Sequence, residues 1–158
     1  MDIAYLSTEI GMIEIQGEDA VIRSVQFLDS EVPTTSIPPT LTDSVRQLDE
    51  YFSGKRKTFE LTFDPIGTDF QKRVWKELLK IDYGTTISYL ELAIRLGDEK
   101  AVRAVGGANG KNPIAIMIPC HRVIGASGKL VGYGGGMERK GWLLKHELIN
   151  AKPEGMLF

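Results

Sequence analysis

The stretch SYLELAIRLGDEKAVRAVGGANGK, Ser88 to Lys111, reads as two short helices separated by a turn. The Ser88 hydroxyl can cap the first helix. Gly97 can end it, because glycine freely takes the positive-φ conformation that follows many helices. DEK, Asp98 to Lys100, makes the turn before a second short helix in AVRAVGGANGK. Such a pair fits a helix-turn-helix, and equally an αα-hairpin packed in a core. The second helix is poor in side chains. Ala101, Ala104, Gly106, Gly107, Ala108 and Gly110 leave a nearly bare surface from which Arg103 stands out. A glycine inside a helix costs about 1 kcal/mol relative to alanine. Close approach to another backbone would offset that cost, whether a neighbouring helix or a nucleic-acid groove. A narrow minor groove admits a thin helix better than a bulky one. Lys100, Arg103 and Lys111 add positive charge on or beside this helix, which suits phosphate.

Upstream, DFQKRVWKELLKI carries Phe70, Val74, Leu78 and Ile81 at helical spacing, with Trp75 and Leu79 beside them. Downstream, NPIAIMIPCHRVIG reads as an extended apolar run broken by prolines. ASGKLVGYGGGMERK follows as a glycine-rich loop, and KGWLLKHELI as a final helix. The N-terminal part differs. Ile13 and Ile15 alternate with polar residues, GED turns the chain, and Val21, Ile22, Val25 and Phe27 form a second strand-like run. PTTSIPP is a loop. In TLTDSVRQLDEYFSGK, Leu41, Val45, Leu48 and Phe52 share one helix face, with Thr40 or Thr42 as N-cap and Gly54 as C-cap. TFELTF offers another strand, and DPIGT, Asp64 to Thr68, a linker. The expected fold is α+β: a small N-terminal sheet-plus-helix unit over 1–66, then a mostly helical unit over 67–158.

The chain of 158 residues is 42% hydrophobic and 25% charged, ordinary for a soluble protein. No apolar run reaches the roughly 20 residues a bilayer span needs, so no membrane association is expected. The start, MDIAYLSTEIG, lacks the basic and apolar regions of a signal peptide. One cysteine cannot make an internal disulfide, which points to a reducing, cytoplasmic setting. One Cys and two His are too few for a usual structural zinc site, so no metal is expected. Charge is uneven: residues 1–67 carry a net −7 and residues 68–150 a net +5. That asymmetry suits an anionic partner for the second part, and also chance scatter over a mixed surface.

The single thiol, Cys120, sits in IPCHRVIG between Pro119 and His121, with Arg122 next. A buried cysteine is commonly just a small hydrophobe. Here adjacent His121 and Arg122 would favour the thiolate. Pro119 fixes the local path, and the end of an apolar run suggests the rim of a pocket. Neighbours on a regular strand face opposite ways, so Cys120 and His121 could meet only across a bend or through a water. The final helix offers His146 and Glu147 to orient the imidazole.

IPCHRVIG resembles the active-site signature of the methylated-DNA–protein-cysteine methyltransferases, the alkylguanine-DNA alkyltransferases. The resemblance takes in FQKRVWKELLKIDYGTTISYLELA, AVRAVGGANGKNPIAIMIPCHRVIGASGKLVGYGGG and WLLKHE, almost the whole second part. The first part resembles the family's N-terminal unit only loosely. It implies a ribonuclease H-like N-terminal unit and a winged helix-turn-helix that enters the DNA minor groove and flips the damaged base. The implied reaction is direct-reversal DNA repair. The alkyl group of 6-O-methylguanine, with 4-O-methylthymine as a second candidate substrate, passes irreversibly to Cys120. Each molecule acts once, without a cofactor, as a monomer on double-stranded DNA.

By the same resemblance, His121 takes the thiol proton through a water, Glu147 orients the imidazole, and Asn112 supports the network. Arg103 fills the gap left in the stack. Tyr89 crowds the neighbouring phosphate and donates to the leaving guanine. Ala115, Val123, Tyr133 and Gly134 match residues that bind the flipped base. Some members have proline at the position of Ala115 and serine at that of Gly134, so a wider mouth and tolerance of larger alkyl groups are expected. Some carry an N-terminal zinc through Cys and His, which this unit lacks. Two other readings stand beside this one: a DNA-binding regulator whose thiol is a sensor or bystander, and a Cys-His hydrolase, which would need an oxyanion hole.

Overall fold

The computed structural model describes residues 1–33, 35–128, 133 and 135–151. Three antiparallel strands open the chain: β1 (Asp2–Thr8), β2 (Gly11–Glu18) and β3 (Val21–Leu28). Period-two alternation points Ala4, Ile13, Ile15 and Val25 into the core, and a register shift opposite Gln16 and Gly17 resets the alternation so that Ile22 joins them. A fourth strand, β4 (Thr62–Phe63), pairs parallel to β3. The strand expected across TFELTF is therefore reduced to two residues.

Helix α1 (Thr42–Phe52) has neither expected threonine cap. A 3-10 turn at Pro39–Leu41 leads into it, and the Leu41 amide donates to the Pro38 carbonyl at 2.9 Å. Proline's fixed φ starts the helix where a hydroxyl would otherwise cap it. The buried face carries Val45, Leu48 and Tyr51 rather than Phe52, which is half-buried. Positions 51 and 52 lie three and four residues beyond Leu48, so periodicity alone leaves both near the stripe. Gly54, at φ +79, follows the helix as expected.

Residues 64–68 carry no regular structure and lead to α2 (Asp69–Leu78). Thr68 and Gln71 form a reciprocal capping box there, at 3.1 and 2.9 Å. A Cβ on Gly67 would come within 2.4 Å of the Trp75 ring, so this close approach requires glycine. Then follow β5 (Ile87–Ser88), α3 (Tyr89–Arg95), a 3-10 turn (Glu99–Ala101) and α4 (Val102–Gly110). Ser88 caps α3 through the Glu91 amide, as expected. Strand β6 (Val123–Ile124) pairs parallel with β5. Helix α5 (Met137–Ala151) starts earlier than the sequence suggests, with MERK inside it rather than in the preceding loop.

The architecture is α+β, a sheet with one helix followed by a helical part. The two share one core, in which Leu41 and Leu48 join Trp75, Leu78, Val105 and Leu143. Backbone also joins them: Val25 bridges Ile114, with Val25 N donating to Pro113 O and Ala115 N to Val25 O, at 2.9 and 2.8 Å. No helix among the described residues is long and apolar enough to cross a membrane.

Candidate active site

The segment expected to run extended from Asn112 does so only to Ile114, and then folds sharply. Ile116 takes φ +71, and Met117 N donates to Ala115 O at 2.8 Å. This is a γ-turn with a positive-φ centre, strained for a β-branched residue by about 1–3 kcal/mol. Asn112 holds the turn from both sides. Its amide donates to Ile114 O and Ile118 O at 3.1 and 2.7 Å, while its Oδ1 accepts from Ile114 N at 3.0 Å. The sharp turn brings Pro119 to the start of a 3-10 helix, Cys120–Arg122.

That helix decides where three side chains go. Cys120 is 6% exposed and lines a cavity of ≈ 220 Å³. Asn112, Ala115, Tyr133, Gly110, Val25 and Phe27 are also in its walls. The cysteine therefore borders a cavity rather than solid core. A wider surface cleft of ≈ 670 Å³ between Glu9 and the start of α5 does not include the thiol.

His121 and Glu147 are buried behind the cysteine. His121 Nε2 lies 2.6 Å from Glu147 Oε2. The ionised carboxylate only accepts, so Nε2 carries the proton and Nδ1 is the basic nitrogen. Nδ1 is buried with no hydrogen-bond partner among the described residues. Arg122 does not turn to the thiol. Its Nε and Nη2 reach the two Glu147 oxygens at 2.7 and 3.1 Å, and Nη1 donates to Ile81 O at 2.7 Å. The Gly84 amide and the Tyr51 hydroxyl complete the carboxylate's shell, at 3.2 and 2.7 Å. His146 faces elsewhere, with Nε2 donating to Tyr51 O at 2.7 Å and its ring stacked on Trp142.

These contacts set the protonation states. Burial pushes Glu147 up, but His121 and Arg122 outweigh it and hold the carboxyl well below its usual range. Burial pulls His121 down, and the Arg122 and Lys140 charges add to that against the attraction of Glu147. Burial pushes the Cys120 thiol up, against the Asn112 side chain and the Lys140 charge. The resting pair is thus a neutral thiol and a neutral imidazole, and the sequence neighbours that would favour the thiolate do not tip the balance. Arg122 is adjacent in sequence, yet its charge is spent on Glu147.

Lys140 enters this site without a sequence signal beyond its place near a helix start. It is fully buried, and its Nζ donates to Val123 O at 2.6 Å. Burial lowers its pKa to about 8. Val123 is itself buried, and its side chain is not among the cavity's walls. Tyr89 is half-buried, with its pKa raised by burial. Tyr133 Oη is buried without a partner among the described residues, and burial raises its pKa well above the usual. Gly134 lies outside the described residues.

Arg103 is exposed on α4, away from the cavity walls, as are Lys100 and Lys111. The adjacent glycines in the middle of α4 differ. A Cβ on Gly106 would touch the Tyr89 ring at 3.6 Å, whereas one on Gly107 would meet nothing within 4 Å. Packing against a neighbouring helix is therefore not the reason for Gly107.

Known proteins match both parts of this chain. Residues 1–65 match the ribonuclease-like domain, and residues 69–149 the DNA binding domain, of 6-O-methylguanine DNA methyltransferase. The methylated-DNA–protein-cysteine methyltransferase of Mycobacterium bovis is 47% identical over 97% of this chain and 96% of its own. A crystal structure of Mycobacterium tuberculosis O6-methylguanine methyltransferase covers 97% of this chain and 95% of its own, at 45% identity and a TM-score of 0.87. A structure of Mycobacterium tuberculosis OGT in complex with DNA has the same TM-score at 46% identity, covering 95% of this chain and 94% of its own. Two matched domains in order, and near full-length identity close to one half, place a lone cysteine backed by histidine and glutamate in a defined lineage: the chain belongs to the 6-O-methylguanine DNA methyltransferase family.

Proposed function

We propose that this protein repairs DNA by taking the alkyl group of 6-O-alkylguanine onto Cys120 in a single, irreversible turnover. The supporting observation is the ≈ 220 Å³ cavity lined by Cys120, whose neighbour in the same 3-10 helix, His121, is paired with buried Glu147. Helices α3 and α4 enter the minor groove of double-stranded DNA. Exposed Lys100, Arg103 and Lys111 meet phosphates, and the bare surface at Gly107 allows close approach. The damaged nucleotide rotates out of the stack at a cost of a few kcal/mol. Arg103 fills its place, and Tyr89 crowds the adjacent phosphate.

Ala115, Val123, Tyr133 and Gly134 are the residues assigned to binding the flipped base. The Cys120 proton passes through a water to His121 Nδ1, giving an imidazolium steadied by Glu147. The sulfur attacks the alkyl carbon in line. The C–O bond breaks, its electron pair leaves with the guanine, and the base takes up one proton. The Tyr89 hydroxyl, kept protonated by its raised pKa, donates to the departing base. In net terms, the alkyl group replaces the thiol proton, and the thioether is stable. No external cofactor enters the balance. 4-O-methylthymine is a second candidate substrate. The protein works as a cytoplasmic monomer, with its two parts divided at residues 66/67 in the irregular stretch 64–68.

Intact-mass spectrometry after incubation with DNA carrying 6-O-methylguanine tests this reading. The expected result is a gain of one methyl, mapped to Cys120, at no more than one per chain. Cys120→Ser should gain none yet still bind the DNA. Label remaining on DNA would favour a DNA-binding regulator, and turnover of an ester would favour a hydrolase.

A further inference from the structure

Glu147 Oε2 receives a donor from the N-terminal part of the chain. We propose that Tyr51 is a positioning residue that sets the basicity of the His121–Glu147 pair, through the hydroxyl it places on the oxygen the imidazole uses. The inference rests on reading Cys120 as the alkyl acceptor.

The phenol of Tyr51 is sealed from solvent and held from several sides. His146 Nε2 donates to the Tyr51 carbonyl at 2.7 Å. The ring meets Phe52, Phe59 and Tyr83 at centroid distances of 5.5, 5.7 and 6.1 Å. A phenylalanine would complete this aromatic cluster without burying a hydroxyl. The hydroxyl instead donates to Oε2 at 2.7 Å, beside the His121 Nε2 donor at 2.6 Å. Arg122 already reaches both carboxylate oxygens, so Tyr51 is not needed to neutralise the charge. A second strong donor on Oε2 draws charge away from the imidazole. It weakens the carboxylate's pull on the Nε2 proton, and so the affinity of Nδ1 for a proton.

The charged and titratable groups around the pair and around Tyr51 come from several places, Tyr133 ahead of α5 among them. Tyr51 comes from α1, and Tyr83 from the α2–β5 connection, with Lys57 over its ring. Cys120 and Arg122 come from the 3-10 helix. Lys140 and His146 come from α5, the latter against the Tyr51 ring. Removing the Tyr51 hydroxyl changes no formal charge among them. Its effect reads directly as a change in hydrogen bonding to Oε2.

The test is the pH dependence of Cys120 alkylation by iodoacetamide in the free full-length protein. In that reaction the sulfur–carbon bond forms, iodide leaves and the thiol proton passes to His121. Methyl transfer from methylated DNA is followed in parallel. Tyr51→Phe should raise the acid-side midpoint by about one pH unit. Replacing Tyr51 by 3-fluorotyrosine, a stronger donor of nearly the same shape, should lower it. Leu48→Ala, which removes core methyls from the same helix but no hydrogen bond, should lower stability and leave the midpoint alone. If the fluorinated protein keeps the wild-type midpoint, or Tyr51→Phe shifts no further than Leu48→Ala, the proposal is overturned. If the wild type takes no methyl from DNA while the iodoacetamide midpoints move as expected, the repair reading fails and the role of Tyr51 stands.

Discussion

The Tyr51 hydroxyl and the Glu147 carboxylate meet at 2.7 Å across 96 positions of sequence. The same carboxylate oxygen faces His121, and Arg122 spans both oxygens. One buried anion is thus shared by a neutral phenol, a neutral imidazole and a guanidinium. Arg122 compensates its charge, and the phenol and the imidazole complete its hydrogen bonds.

Replacing that anion should cost both chemistry and stability. Glu147→Gln keeps the shape but leaves Arg122 as a buried, unpaired cation. Losing one partner of a buried pair costs about 3–5 kcal/mol. The variant should melt well below wild type and methylate slowly, checked by thermal unfolding and by the rate of methyl gain on Cys120. A variant that melts and methylates like wild type contradicts the arrangement.

Acid should weaken the fold in two stages. His121 has a folded pKa below its ordinary value of about 6.5, and Glu147 one below about 4.3. A group whose pKa is depressed by folding stabilises above its unfolded value, and that contribution is lost as pH falls toward the folded value. Melting temperature should therefore decline below about pH 6.5 and more steeply below about pH 4.3. Melts that stay level across both ranges would show that neither group is held as described.

The bare face of α4 separates stability from binding. Alanine at Gly107 meets no steric obstacle. Gly107→Ala should stabilise the free protein by about 1 kcal/mol. If the face seats in a minor groove, the same change should weaken binding to duplex DNA. Arg103→Ala, at an exposed position, should leave stability within about 0.5 kcal/mol and reduce capture of the flipped base. Binding of the wild type should fall steeply as salt rises. Calorimetry and binding titrations over a salt series check all three, and an affinity indifferent to salt would count against a DNA-facing basic surface.

The mouth of the cavity should decide which alkyl groups pass. Ala115 lines it, and its amide donates to Val25 O at 2.8 Å. A proline there would lose that bond, so valine is the cleaner probe. Ala115→Val should leave methyl transfer nearly unchanged and slow benzyl transfer about tenfold, equivalent to ~1.4 kcal/mol. Absence of any benzyl reaction in the wild type would remove the expectation of a wide mouth.

The local order of this protein is written in its sequence. Strand alternation marks Ile13, Ile15 and Val25 as core, and helical spacing does the same for Val74 and Leu78. Ser88 caps α3 because a cap needs only its own next turn. Cys120, His121 and Arg122 are contiguous, and their motif identifies Glu147 through resemblance rather than through any spacing. Local patterns are legible because they arise from contacts within a few residues. What tertiary structure alone decided is where the charges go. Arg122 turns from the thiol to Glu147, Lys140 is drawn into the interior, and Tyr51 reaches across from the other part of the chain. The strained turn at Ile116, held by Asn112, delivers the cysteine to its cavity. A buried charge must find partners wherever packing brings them, and no periodicity along the chain records which ones those are.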